Sequence, residues 1–127
     1  PRQDYVFRTD YSRGQARLAA ENLLKMPEPA SAVFVASDSM ALEVMAVVRE
    51  SGRQIPGDLS IVGFDDNPSG LYGPVALTTV KQPLIKMAQE SVKELNILMS
   101  AKEKNVKIRK IRLPVELVNR ESCQSPK

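Results

Sequence analysis

The sequence predicts an α/β fold, a parallel sheet sandwiched between helices in three layers. Three observations carry this reading. Short apolar runs end in acids at Asp10, Asp38 and Asp65. Those acids stand 28 and 27 residues apart, about the length of one strand–helix unit. The segments between the runs repeat apolar residues at helical spacing. Strands alternating with helices build a parallel sheet whose faces the helices cover.

The strand candidates are "DYVFRTD" (4–10), "SAVFVASD" (31–38) and "LSIVGFDD" (59–66). Each has the short, β-branched or aromatic character of a buried parallel strand. Between the first two, Ala16, Ala19, Ala20, Leu23 and Leu24 form one stripe of a helix over 12–26. Ser12 is placed to cap its start, and Pro27 and Pro29 to end it. Over 39–51 the run "SMALEVMAVVRES" is apolar nearly all round, as expected of a helix buried on two sides. Asp38 or Ser37 caps its start, capping being the favoured role of Asp38, and Gly52 fits the C′ position. "IPGD" (55–58) places Pro and Gly for a type II turn into the third strand.

Beyond Asp66 the pattern changes. "NPSGLYGPVA" (67–76) is a loop, and "LTTVKQP" (77–83) a short strand in which Thr78 and Thr79 read as ordinary strand residues. Pro83 opens an amphipathic helix to residue 101, with a stripe of Leu84, Ala88, Val92, Leu95 and Met99. "VKIRKIRLP" (106–114) and "VELVNRES" (115–122) read as two strands broken at Pro114.

Composition narrows the chemistry. The 127 residues suit one domain with a real core. There is no His, which excludes Ser-His-Asp and Cys-His nucleophile systems and the usual Cys/His zinc sites. No catalytic residue, metal site or cofactor is expected. The single Cys123 cannot form an internal disulfide, which favours a reducing, cytoplasmic setting. No apolar stretch is long enough for a membrane helix. The chain opens without Met or a signal-peptide core, a start expected of a fragment or a processed chain. Residues 1–66 hold 7 Lys and Arg against 10 Asp and Glu, and residues 67–127 hold 11 against 5. The basic stretch Lys102–Arg112 has no interleaved aromatics and no helix to enter a groove, so it reads as a solvated face rather than a DNA patch.

Ligands of parallel sheets bind outside the carboxyl ends of the strands. Here those ends offer Thr9-Asp10-Tyr11, Ser37-Asp38 and Asp65-Asp66. Carboxylates and hydroxyls with an aromatic face suit a sugar or a nucleobase. Adjacent residues of a strand point to opposite faces, so Asp65 and Asp66 are not expected to act as a catalytic pair.

The run from "SAVFVASDSMA" through "GRQIPGDLSIVGFDD" and "PVALTTVKQP" to "LPVELVNRES" resembles the lac-repressor-like (LacI/GalR) family of bacterial transcription regulators. The resemblance covers nearly all of residues 4–122. It implies an incomplete periplasmic-binding-protein-like lobe of type I. Residues 1–82 would be C-terminal lobe, 83–113 a helix and strand of the N-terminal lobe, and 114–122 the return strand. The DNA-binding domain would lie outside the chain. The implied function is small-molecule effector sensing that changes operator affinity, without enzymatic activity. By position, the resemblance implies effector contacts from Asp65, Ser37, Tyr11, Gln82 and Leu84. It implies a dimer interface through Met40, Leu42, Met45 and Tyr72, and makes the parent a homodimer whose fragment could self-associate. The stripe Leu84–Met99 would lose its native partner and is expected to pack on its own sheet or on another copy. The alternatives are a periplasmic sugar-binding protein of a transporter and, more remotely, a phosphoacceptor domain using Asp65 with Thr79 and Lys81.

Overall fold

The computed structural model describes residues 3–100 and 109–125. Four strands form one sheet in the order β1 (Ala32–Phe34), β2 (Ser60–Asp65), β3 (Thr78–Lys81) and β4 (Glu116–Val118). β1 and β2 are parallel with Val33 opposite Ile61, and β2 and β3 are parallel with Gly63 opposite Thr79. The parallel arrangement expected from the strand spacing is therefore present across β1, β2 and β3, in a sheet that β4 makes mixed. Helices α1 (Arg13–Leu24) and α2 (Asp38–Glu50) connect the strands, and α3 (Leu84–Ser100) follows β3.

The chain divides into two compact units, where the length alone suggested one domain. The first comprises Pro1–Lys81 with Leu117–Lys127, the second Gln82–Glu116. The core lies in the first. Ala41, Met45 and Val48 of α2 are fully buried with Leu59, Ile61 and Leu77, and each of these side chains larger than Ala contributes about 1.5–3 kcal/mol by leaving water. α1 packs on α2 through Ala16, Ala20 and Leu23. Arg13 and Arg17 reach over this seam to Glu43 and Glu50. The two-sided burial predicted for α2 is thus met by α1 on one side and β2 on the other.

The caps follow the local chemistry. The Gln15 N–H donates to Ser12 Oγ at the start of α1. At the end of α2, Gly52 takes φ 77, and the N–H groups of Gly52 and Arg53 return to the carbonyls of Arg49 and Val48. This is the Schellman closure that a C′ glycine permits.

Several expectations are corrected. Residues 4–10 form no strand: a 3-10 turn at Gln3–Tyr5 precedes irregular chain. A cavity of about 170 Å³, lined by Phe7, Thr9, Val33, Phe34 and Val35 among others, opens beside this run. The run therefore lacks the neighbouring ladder that would satisfy its backbone as a strand. The turn at 55–58 is not type II, because Gly57 lacks the positive φ that type requires and the Ile55–Pro56 bond is cis. Residues 109–115 are irregular, and the rest of the strand expected over 106–114 falls outside the described residues. α3 carries no buried residue, and Leu84, Val92, Leu95 and Met99 of its stripe are exposed.

Candidate functional site

The carboxyl edge of the sheet in the first unit is where the chemistry collects. β1 runs into Ser37 and Asp38, and β2 ends at Asp65. Because α1 leads into β1, its N-terminus returns to the same edge. The Thr9 hydroxyl lies 4.0 Å from Met40 Sδ, and Arg13 Nε donates to Glu43 Oε2 at 3.1 Å, which fixes the segment around Tyr11 beside the start of α2.

The backbone at this edge is unusual. Tyr11, Asp65 and Asp66 have φ of 65, 116 and 57, and among the described residues they are the non-glycine residues of positive φ. Such conformations persist only where surrounding contacts over-determine them, and they concentrate at ligand sites. For Tyr11 the turn is set locally. The Ser12 backbone N–H donates to Asp10 Oδ1 at 2.9 Å. Hydrogen bonds from the Ser12 side chain and backbone hold the Asp10 carboxyl below its usual range. The Tyr11 ring is left 67% exposed, available for stacking.

For Asp65 and Asp66 the turn is held from a distance. Asp38 is fully buried and accepts from Thr79 Oγ1 at 2.6 Å and from the Asn67 N–H at 2.7 Å. The Asp66 N–H in turn donates to Thr79 Oγ1 at 3.4 Å. A Cβ at position 63 would collide with the Asp38 carboxylate, so Gly63 is what lets that carboxylate sit beneath β2. From the far side, Arg120 donates to Asp66 Oδ1 at 2.6 Å and to the Leu77 carbonyl at 2.8 Å.

The structure sorts the expected site residues. Asp65, Ser37 and Tyr11 share the carboxyl edge of the first unit. Asp65 is half-buried at the end of β2. Ser37, and not Asp38, is the N-cap of α2: its Oγ accepts from the Met40 N–H at 3.3 Å. Asp38 is instead the first helical residue, drawn under the sheet edge by Thr79 and Asn67. Gln82 and Leu84 belong to the second unit, Leu84 as the first residue of α3 and well exposed. Among the expected interface residues, Met40 and Met45 are 7% and 0% exposed. Their side chains are used in the chain's own core and are not open to a second copy. Leu42 is half-buried against Gly73, and Tyr72 is 86% exposed.

Sequence reasoning missed three residues. Thr79 is a buried hydroxyl between Asp38 and the Asp66 N–H, not an ordinary strand residue. Arg120 closes the turn. Ser122, fully buried, donates to the Ile61 carbonyl at 2.6 Å and accepts from the Thr78 N–H at 2.8 Å, pinning β2 to β3. All three stand within the quoted runs that carry the family resemblance, Thr79 in "PVALTTVKQP" and Arg120 and Ser122 in "LPVELVNRES", which is the signal that could have pointed to them. With Thr79 committed to Asp38, a phosphoacceptor site built from Asp65, Thr79 and Lys81 loses its hydroxyl.

A parallel sheet with its polar groups gathered at the carboxyl edge defines a ligand-binding α/β lobe. The chain belongs to the periplasmic binding protein-like domain family, whose model matches residues 1–123. It is 37% identical over 120 residues, 94% of this chain and 35% of the relative, to the HTH-type transcriptional regulator MalR of Clostridium butyricum. It resembles the CelR–cellobiose complex of a transcriptional regulator, at 31% identity and a TM-score of 0.81, over 89% of this chain and 34% of that one. It also resembles a LacI family regulator from Enterococcus faecium with bound ribose, at 31% identity and a TM-score of 0.75, over 91% of this chain and 42% of that one. The chain spans about a third of the length of the curated relative it matches. The resemblance to lac-repressor-like regulators is thereby confirmed, and a transport protein is not favoured.

Proposed function

We propose that this chain is the effector-sensing part of a cytoplasmic, homodimeric, non-enzymatic transcriptional regulator, and that its effector is a sugar. In this reading the carboxyl edge of the first unit grips the sugar. Asp65 accepts from its hydroxyls, Tyr11 covers a ring face, and Ser37 lies at the rim. Gln82 and Leu84, also expected as effector contacts, lie in the second unit. Operator contact comes from a DNA-binding domain elsewhere in the parent, and Leu42 and Tyr72 remain the residues available for dimer contact.

The observation that carries the reading is the strained pair Asp65 and Asp66, at φ 116 and 57, on the same edge as Tyr11 at φ 65. Three non-glycine residues held in the left-handed region at one edge suit a preformed ligand clamp. The cellobiose and ribose bound by related regulators support a sugar as the effector.

The test is a thermal-shift screen of mono- and disaccharides on this chain and on the full-length regulator. A bound sugar raises the melting temperature by mass action. Asp65→Asn removes a charged acceptor, which costs about 1.5–3 kcal/mol, or roughly ten- to a hundredfold in affinity. The reading fails if no sugar shifts either protein, or if Asp65→Asn binds the responding sugar as tightly as the unaltered chain.

A further inference from the structure

We propose that Arg120 is a positioning residue that sets the conformation of the Asp65–Asp66 turn, and through it the reach of the Asp65 carboxylate. The use of that carboxylate for sugar rests on the reading above. Two consecutive non-glycine residues at positive φ are uncommon, and contacts from distant parts of the chain hold Asp66 there. The main chain is held from below by Thr79 and Asp38, both fully buried parts of the core. The side chain of Asp66 is held from 54 residues away by Arg120.

The geometry of Arg120 is that of a strut. Its backbone N–H donates to Thr78 Oγ1 at 2.9 Å, which fixes where its side chain begins. One terminal nitrogen donates to the Leu77 carbonyl at 2.8 Å, which fixes its middle. The other donates to Asp66 Oδ1 at 2.6 Å. The two partners are 18% and 19% exposed, so the pair is shielded without being part of the core. A guanidinium can serve a carbonyl and a carboxylate at once because its donors are fixed in one plane. An ammonium cannot reproduce that fork. Arg120 also neutralises Asp66, so Asp65 does not face an uncompensated carboxylate on the adjoining residue. Rotating Asp66 out of the left-handed region would turn the peptide it shares with Asp65 and swing the Asp65 carboxylate off the edge.

Arg120→Met and Arg120→Lys are compared with the unaltered chain. The readouts are the one-bond Cα–Hα couplings of Asp65 and Asp66, which separate positive from negative φ, melting temperature, and titration with ribose and with cellobiose. The expected result for Arg120→Met is a folded protein whose couplings at both aspartates move to negative-φ values. Affinity for whichever sugar binds falls at least tenfold. Arg120→Lys, the milder change, should keep the fold and show a partial shift of the same couplings. Unaltered couplings in a folded Arg120→Met, or in Arg120→Lys if the first variant does not fold, overturn the proposal. A coupling shift together with no binding of either sugar by the unaltered chain supports the strut and counts against the effector reading alone.

Discussion

α2 and α3 are both amphipathic, and their fates differ. α2 buries seven of its residues, from Asp38 to Val48, between α1 and β2. α3 buries none, and Leu84, Ile85, Val92, Leu95 and Met99 are each more than half exposed. An apolar stripe states what a helix can bury. Whether it does so depends on a partner surface, and that surface is set by the rest of the fold.

The sharpest way to break this comparison is to truncate one side chain on each helix. Met45→Ala removes a fully buried thioether and leaves a cavity, which should cost about 2–5 kcal/mol in urea unfolding. Leu95→Ala, from a side that is 55% exposed, should stay within about 0.5 kcal/mol. If the two variants lose comparable stability, α3 has a partner in solution and the contrast fails.

Glycines sharpen the same point at smaller scale. Gly52 sits at φ 77 in the closure of α2, where an added Cβ is strained even though nothing stands within 4 Å of it. Gly52→Ala should therefore destabilise by about 1 kcal/mol. Gly14 lies in the first turn of α1 at an ordinary helical φ, also with nothing within 4 Å. Gly14→Ala should stabilise by about 0.5–1 kcal/mol, because it only restricts the unfolded chain. Opposite signs in thermal unfolding would separate backbone conformation from space as the deciding factor.

What was legible in the sequence follows the same division. The periodicity of 12–26 and 39–51 and the short runs at 31–38 and 59–66 are local, and helices and strands are present within them. The strand expected over 4–10 failed because a strand is a property of pairs: Val6 and Phe7 have strand-like side chains but no adjoining ladder. At the site, the run ending in Asp65 and Asp66 was visible as two acids after an apolar strand. Their positive φ was not, since neither is glycine or asparagine. The cause lies in Asp38, Thr79 and Arg120, between 13 and 54 residues from Asp66. No local window joins such groups. The assignment of Asp38 as the N-cap failed for a related reason. Ser37 serves the helix equally well from one position earlier, and this frees Asp38 to satisfy buried donors.

The smallest expected effect compares two surface carboxylates, one in each unit. Asp10 is held below its ordinary value of 3.8 by hydrogen bonds from the Ser12 side chain and backbone. Glu90, in α3, is held below its ordinary 4.5 by Lys93 and then Lys86. A carboxyl whose folded value is lowered contributes stability that is fully present above its unfolded value. That stability is lost as the pH falls through the folded value. For Asp10 the loss therefore begins near 3.8 and for Glu90 near 4.5, so α3 should loosen first on acidification. The causes also differ in kind. Glu90 accepts hydrogen bonds from the exposed ammonium groups of Lys93 and Lys86 at 3.0 and 3.1 Å, ion pairs that salt weakens, whereas Asp10 accepts from a hydroxyl and a peptide group, which carry no charge for salt to screen. In an NMR titration at roughly 1 M NaCl, where screening acts over about 3 Å, the Glu90 value should return toward 4.5 while Asp10 stays low. If both return together, the Asp10 turn is held by long-range charge rather than by Ser12, and the local account of the Tyr11 conformation goes with it.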